Sequence, residues 1–214
     1  HRGTYTSIAK NKKNNRKSEF LLQKAETLSV LDKLLLNAEY PHEKLYDAWE
    51  TVLTQQFHDI LPGSSIFEVY EDSDRYYAEV KASGSEVAVN ALADIAKNVK
   101  TEGGLLVYNP LGFARNATVK AGGVTVETGE MPAMGWKIIS PNVKSGVKVN
   151  GNSIENRFYR LKLDKSGRIK SLYDKRFKRE ILKKGEFGNE IQIFEDFPRA
   201  YDAWEISNYY KQKM

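Results

Sequence analysis

At Thr101-Glu102-Gly103-Gly104 the hydrophobic pattern of this 214-residue chain changes period. Before that point apolar residues recur every three or four positions. After it, short β-branched and aromatic runs stand between turns rich in glycine and proline. The first spacing gathers side chains on one face of a helix, and the second suits strands, so the chain reads as helices followed by sheet. It is long enough for two ordinary domains, with the boundary near residue 101.

Within the first half, Phe20, Leu21, Leu28, Leu31, Leu34 and Leu35 predict a helix from Ser18 to about Asn37, closed off by Pro41. A second runs from about Glu43 to Phe57 on Leu45, Trp49, Val52, Leu53 and Gln56, and Asp59-Ile60-Leu61-Pro62-Gly63 stops it. Ser65 followed by Glu68 has the capping-box pattern of a third helix, whose apolar positions can be followed to Val99. Ser83-Gly84-Ser85 is expected to kink or interrupt it, because glycine is costly inside a helix. Three antiparallel segments with short connections predict a three-helix bundle.

Strands are expected at Leu105–Tyr108 and over 117–121, 124–128, 136–140, 147–150, 157–164, 169–173 and 189–195, with Asp164-Lys165-Ser166-Gly167 as a hairpin connection. The expected class is therefore α+β in two domains. A three-helix bundle comes first, followed by an incomplete portion of an antiparallel β-sandwich.

Composition removes several functions. With no cysteine, disulfides and thiolate metal sites are excluded, which fits a reducing cytoplasm. No apolar run approaches the roughly 20 residues of a membrane helix, so no membrane partner is expected. The net charge of +5 owes much to Lys10, Lys12, Lys13, Arg16 and Lys17. Such a cluster can attract phosphate or simply be a solvated helix start. No RNA signature or zinc-finger spacing accompanies it, so nucleic acid is not an expected partner. The chain opens on His1 rather than methionine, and both ends read as cuts within a longer protein.

The stretch richest in chemistry is Gln55-Gln56-Phe57-His58-Asp59-Ile60-Leu61-Pro62-Gly63-Ser64-Ser65-Ile66. It sets an imidazole beside a carboxylate at a helix end, before a rigid turn and a hydroxyl-rich helix start. A neutral imidazole is a good zinc ligand, and a neighbouring carboxylate can orient it or bind sugar hydroxyls. A local hydrogen bond at a helix end fits the same two residues. His42, after Pro41, has no supporting neighbour and reads as exposed scaffold. Tyr201-Asp202-Ala203-Trp204 suits either sugar stacking or packing between domains.

The Gln55–Ile66 stretch resembles the histidine-aspartate motif of glycoside hydrolase family 38, the retaining α-mannosidases, and most resembles their cytosolic and bacterial branch. The resemblance continues in order along the chain. His1-Arg2-Gly3-Thr4-Tyr5-Thr6-Ser7, with Lys12, Asn15-Arg16 and Glu19, is similar to the close of the family's catalytic domain. Val107-Tyr108-Asn109-Pro110-Leu111 is similar to the start of its β domain. Asn156–Gly167, Ser171-Leu172, Phe194–Pro198 and Asp202-Ala203-Trp204 resemble later segments.

On that resemblance residues 1–16 are the tail of the catalytic domain, 17–100 the bundle and 101–214 the β portion. It implies zinc as cofactor, with His58 as one of four protein ligands, and Asp59 as a contact to the bound mannose. His1 falls where the family lines the sugar subsite with an aromatic residue, a position held by tryptophan in its Golgi and lysosomal members. The catalytic aspartates and the other zinc ligands have no counterpart in this sequence. The chain alone is then expected to be inactive, its partners being a catalytic domain upstream and an α-mannoside oligosaccharide. Assembly into a homo-oligomer stays open. The alternative is a non-catalytic carbohydrate-binding or scaffold module.

Overall fold

The structure is a computed structural model and describes residues 2–121, 123–140, 146–195 and 200–212. Among the described residues three α-helices come first: α1 (Ala9–Leu36), α2 (His42–Gln55) and α3 (Phe67–Lys97). The strands among the described residues are β1 (Leu105–Asn109), β2 (Arg115–Ala121), β3 (Val124–Met131), β4 (Gly135–Ile139), β5 (Lys148–Asn150), β6 (Ser153–Glu155), β7 (Tyr159–Leu163), β8 (Ile169–Asp174) and β9 (Arg179–Glu180). All pairings are antiparallel: β1 with β4, β2 with β3, and β5 to β9 as a five-stranded meander in sequence order. The class is α+β, with the helices before the sheets.

The described residues fall into two compact units. One holds the helices and β1–β4, and the other holds the meander. Tyr108 of β1 packs on the helical core, which ties the first strands to the bundle. That core is Leu22, Ala25 and Leu28 of α1, Leu45, Ala48 and Val52 of α2, and Val80, Val87, Ala88, Ala91 and Ile95 of α3. Among the described residues no helix is long and apolar enough to cross a membrane.

α1 begins at Ala9, nine residues before the start its apolar pattern predicts, and runs unbroken past residues 16 and 17. Its buried face explains the difference. Asn11, Asn15, Ser18, Leu22, Ala25, Ser29 and Asp32 form one stripe at alternating three- and four-residue spacing, apolar only in the middle. The facing stripe on α3 is Tyr70, Ser73, Tyr77, Val80, Gly84, Val87 and Ala91. Ser73 donates to Asn11 Oδ1 at 2.7 Å and Tyr77 to Asn15 Oδ1 at 3.3 Å, both with a sequence offset of 62. A constant offset means that α1 and α3 run parallel, as the first and third helices of an up-down-up bundle must.

α3 runs through Gly84 without the interruption that its sequence suggests. It sits where α3 meets α1, and a Cβ there would lie 3.0 Å from Leu22 Cδ2 and 3.1 Å from Leu21 Cγ. The residue is small because the two helices are close.

In the sheet region, Asn189–Glu195 forms no strand; Gly188 makes a single bridge to Ile169 instead. The short strands β6 and β9 were not legible as runs. The hairpin after β7 forms at the predicted place, where Asp164 Oδ1 accepts the Ser166 and Arg168 amides at 2.8 and 3.0 Å.

Candidate functional site

α2 ends at Gln55, and the chain turns through Phe57–Gly63 before α3 begins. The turn closes on itself, with the amides of Ile60 and Leu61 both donating to the Phe57 carbonyl, at 2.9 and 3.0 Å. Two helices then hold it from outside. From α3, the Tyr70 hydroxyl lies 3.3 Å from the Asp59 carbonyl and 3.2 Å from that of Ile60, while accepting the Ser65 amide at 3.0 Å. From α1, the Asn11 amide donates to the Ile60 carbonyl at 3.1 Å. The Lys12 ammonium reaches the carbonyls of Ser7 and Pro62. Burial holds the Lys12 pKa below its ordinary value.

Ser65 does not cap α3. Its hydroxyl donates to the Asp59 carbonyl at 2.6 Å, and α3 starts at Phe67 without a side-chain cap. The capping-box spacing is present in sequence, but the hydroxyl closes the loop instead.

A polar network braces the end of α2. The Gln56 amide donates to Asn15 Oδ1 at 3.1 Å and to Glu19 Oε1 at 2.9 Å, and Arg16 pairs with Glu19 at 2.7 Å. Burial, with the Glu19 charge as a smaller cause, raises the pKa of Tyr77 in this network. Asn11, Asn15, Gln56 and Tyr70 were not picked out by sequence reasoning as loop supports. For Asn11 and Asn15 the signal is a polar residue at a core position of a helical stripe.

The backbone is thus held on several sides while the side chains at the tip face outward. His58 and Asp59 have side chains 76% and 52% exposed, with His58 Nε2 3.3 Å from Asp59 Oδ2. The Phe57 ring lies against the imidazole, centroids 4.3 Å apart. The apolar side chains on either side are also uncovered: Phe57 is 55%, Ile66 67% and Phe67 72% exposed. Among the described residues no group of three or more His, Cys, Asp or Glu side chains could hold a metal ion. His58 and Asp59 can therefore contribute to a metal site only with groups beyond the described residues.

The other sequence candidates are placed differently. His1 lies outside the described residues. His42 is exposed at the first position of α2, near the Tyr46 ring. The 201–205 segment is a turn that packs on the N-terminal residues rather than a strand edge. The Gly3 amide donates to the Trp204 carbonyl at 2.9 Å, and the Ser7 hydroxyl to that of Ala203 at 2.8 Å. A Cβ on Gly3 would stand 2.9 Å from the Trp204 carbonyl carbon. Asp202 is exposed and accepts the Ala203 amide at 3.0 Å.

Residues 3–7 in turn support the His58 loop. Gly63 has φ of +88°, and a Cβ there would come within 2.6 Å of the Ser7 carbonyl oxygen. Segment 203–204, residues 3–7, and the loop from Phe57 to Gly63 are therefore stacked in contact, one on the next.

Comparison with known proteins places this architecture. Residues 1–95 match the alpha mannosidase middle domain, and residues 154–214 match the glycosyl hydrolases family 38 C-terminal domain. The human alpha-mannosidase 2C1 is 32% identical over 98% of this chain, and alpha-mannosidase G of Dictyostelium discoideum 27% identical over 96%. The chain spans only 22% and 24% of those two relatives. The crystal structure of an alpha-mannosidase from Enterococcus faecalis V583 shares the fold, with a TM-score of 0.65 at 17% identity, over 83% of this chain and 29% of that one. With both domain types matched in the same order, together over more than half its length, the chain belongs to glycosyl hydrolase family 38.

Proposed function

We propose that this chain is part of a retaining α-mannosidase, in which His58 is one ligand of a catalytic zinc ion and Asp59 accepts hydroxyl protons of the bound mannose. The remaining zinc ligands and both catalytic aspartates come from sequence outside this chain. The observation that carries the reading is the His58 loop. Its backbone is tied down by Tyr70, Ser65, Asn11 and Lys12, while the imidazole and carboxylate at its tip stay exposed. A ligand that another domain must meet has to be presented in this way, at a fixed position and with open side chains. The exposed Phe57, Ile66 and Phe67 beside it supply apolar surface for that domain to cover.

Retaining glycosidases set two carboxylates about 5 Å apart, one as nucleophile and one as acid and base. A zinc ion bound there would act as a Lewis acid on the sugar hydroxyls and ease distortion of the ring. The part played by this chain is orientation. His58 offers a ring nitrogen, and Asp59 offers carboxylate oxygens to hydroxyl protons. The 3.3 Å contact between the two side chains engages one ring nitrogen and one carboxylate oxygen, and their exposure permits it to open where Nε2 is the ligating atom. The lack of cysteine fits an enzyme working in a reducing cytoplasm.

The test is His58→Ala in the longer protein that contains the complete site. Loss of one of four ligands should cut metal affinity by at least the 10–100-fold typical of lesser, outer-shell changes. Zinc content measured by mass spectrometry should therefore fall, and hydrolysis of an aryl α-mannoside should fall with it. Unchanged zinc and unchanged turnover would rule the assignment out and leave a carbohydrate-binding or scaffold role.

A further inference from the structure

On the far side of α1 from the His58 loop lies a cleft of about 800 Å3, bounded by α1, α3 and the connection from β1 to β2. At 3.6 residues per turn, the face of α1 carrying Lys17, Phe20 and Lys24 points away from the one carrying Asn11 and Asn15. The cleft meets the network behind the loop only at its floor, where Tyr77 lines it and bonds Asn15 Oδ1 at 3.3 Å.

The charge lining it is of one sign. Lys17 and Lys24 come from α1, Lys81 from α3 and Arg115 from the start of β2, and no carboxylate lines the cleft among the described residues. Several cations elsewhere on the helices do find partners. Lys10 pairs with Asp74, Lys44 with Glu86, Arg75 with Asp72, and Lys97 with Asp94. Among the described residues Lys17, Lys24 and Lys81 make no ion pair, and the Arg115 guanidinium reaches only the Asn116 carbonyl, at 3.4 Å. Four cations brought from three elements around one hollow repel each other, and an anion in the hollow turns that repulsion into attraction.

The rest of the lining suits a polyhydroxylated ring. Phe20 is 57% exposed at the cleft and offers an apolar face, while Asn14, Gln23 and Ser85 add neutral donors and acceptors. The volume lies within the roughly 300–1,000 Å3 of small-molecule sites and exceeds what a bare phosphate would fill. We propose that this cleft binds a small phosphorylated sugar, with Lys17, Lys24, Lys81 and Arg115 around the phosphate and Phe20 against the ring.

Isothermal titration calorimetry on the longer protein that contains this chain tests this, with glucose 6-phosphate, glucose and inorganic phosphate as separate titrants at one ionic strength. Glucose 6-phosphate should bind at least about tenfold more tightly than inorganic phosphate, and glucose should bind more weakly still. The double variant Lys17→Gln/Lys81→Gln should weaken glucose 6-phosphate binding by about tenfold or more. Lys10→Gln, which loses an ion pair between the same two helices outside the cleft, should leave it unchanged. Absence of binding, equal affinity for phosphate and its sugar ester, or indifference to the double variant would each overturn the proposal.

Discussion

Gly63 turns the chain where the His58 loop meets residues 3–7. Its φ of +88° is a conformation that side chains other than glycine rarely adopt, and a Cβ would press on the Ser7 carbonyl, which is backbone and cannot rotate away. Gly63→Ala should therefore cost about 2–4 kcal/mol, from the strained backbone conformation and overpacking together. Urea unfolding of the variant checks this, and an unchanged midpoint would mean that the loop does not depend on that contact. The glycine was legible from sequence as a helix stop. Its partner Ser7, 56 positions away in the chain, was not, because no local pattern links a turn to the backbone that crosses it. The same holds for Ser65, whose spacing to Glu68 described a helix cap but whose hydroxyl bonds the Asp59 carbonyl.

Along a whole element, the seam between α1 and α3 combines two features that read as helix-breaking in isolation. One is Gly84; the other is the polar start of α1. In α1 the sequence signal began at Phe20 because Asn11, Asn15 and Ser18 do not look like core, yet they are buried and continue the stripe. Asn11 and Asn15 satisfy their amides across the seam and along the helix, which removes the penalty of burying them. At Gly84 two effects oppose. Alanine would gain about 1 kcal/mol of helix propensity, and its Cβ would crowd Leu21 and Leu22. Those neighbours are side chains and can shift, so Gly84→Ala should leave the melting temperature nearly unchanged. Gly84→Val adds bulk with no further propensity gain and should cost about 1–3 kcal/mol. Equal thermal stability of the two variants would show that the helices do not need the close approach.

Across the molecule the two units differ in how their carboxylates respond to acid. In the meander, Glu155 is held below its ordinary pKa by Lys175, Asp164 by Arg168, Asp174 by Arg176 and Glu180 by the Ser171 hydroxyl. A carboxylate depressed in the folded state stabilises the fold above its unfolded pKa, near 4, and that contribution is lost as pH falls through the lowered value. In the bundle, Asp32 is shifted the other way, by burial first and then by the Asp94 charge. Acid neutralises it and relieves the fold. Acidification below about pH 4 should therefore loosen the meander before the bundle. Residue-resolved amide NMR spectra during an acid titration would follow both, and earlier loss of α1–α3 signals would refute the ordering.

The order of helices and strands, the hairpin at Asp164–Gly167, and the His58-Asp59 motif with the family resemblance around it are all legible in the amino-acid sequence. Each of these depends on residues close in the chain, where periodicity and turn chemistry act directly. Packing between distant segments is what carries α1 back to Ala9, makes Gly84 a helix contact rather than a break, and sets 203–204 on residues 3–7. It also gathers Lys17, Lys24, Lys81 and Arg115 around one cleft. These outcomes depend on which distant residues meet, and a polar or small side chain takes its meaning from the partner that the fold brings to it.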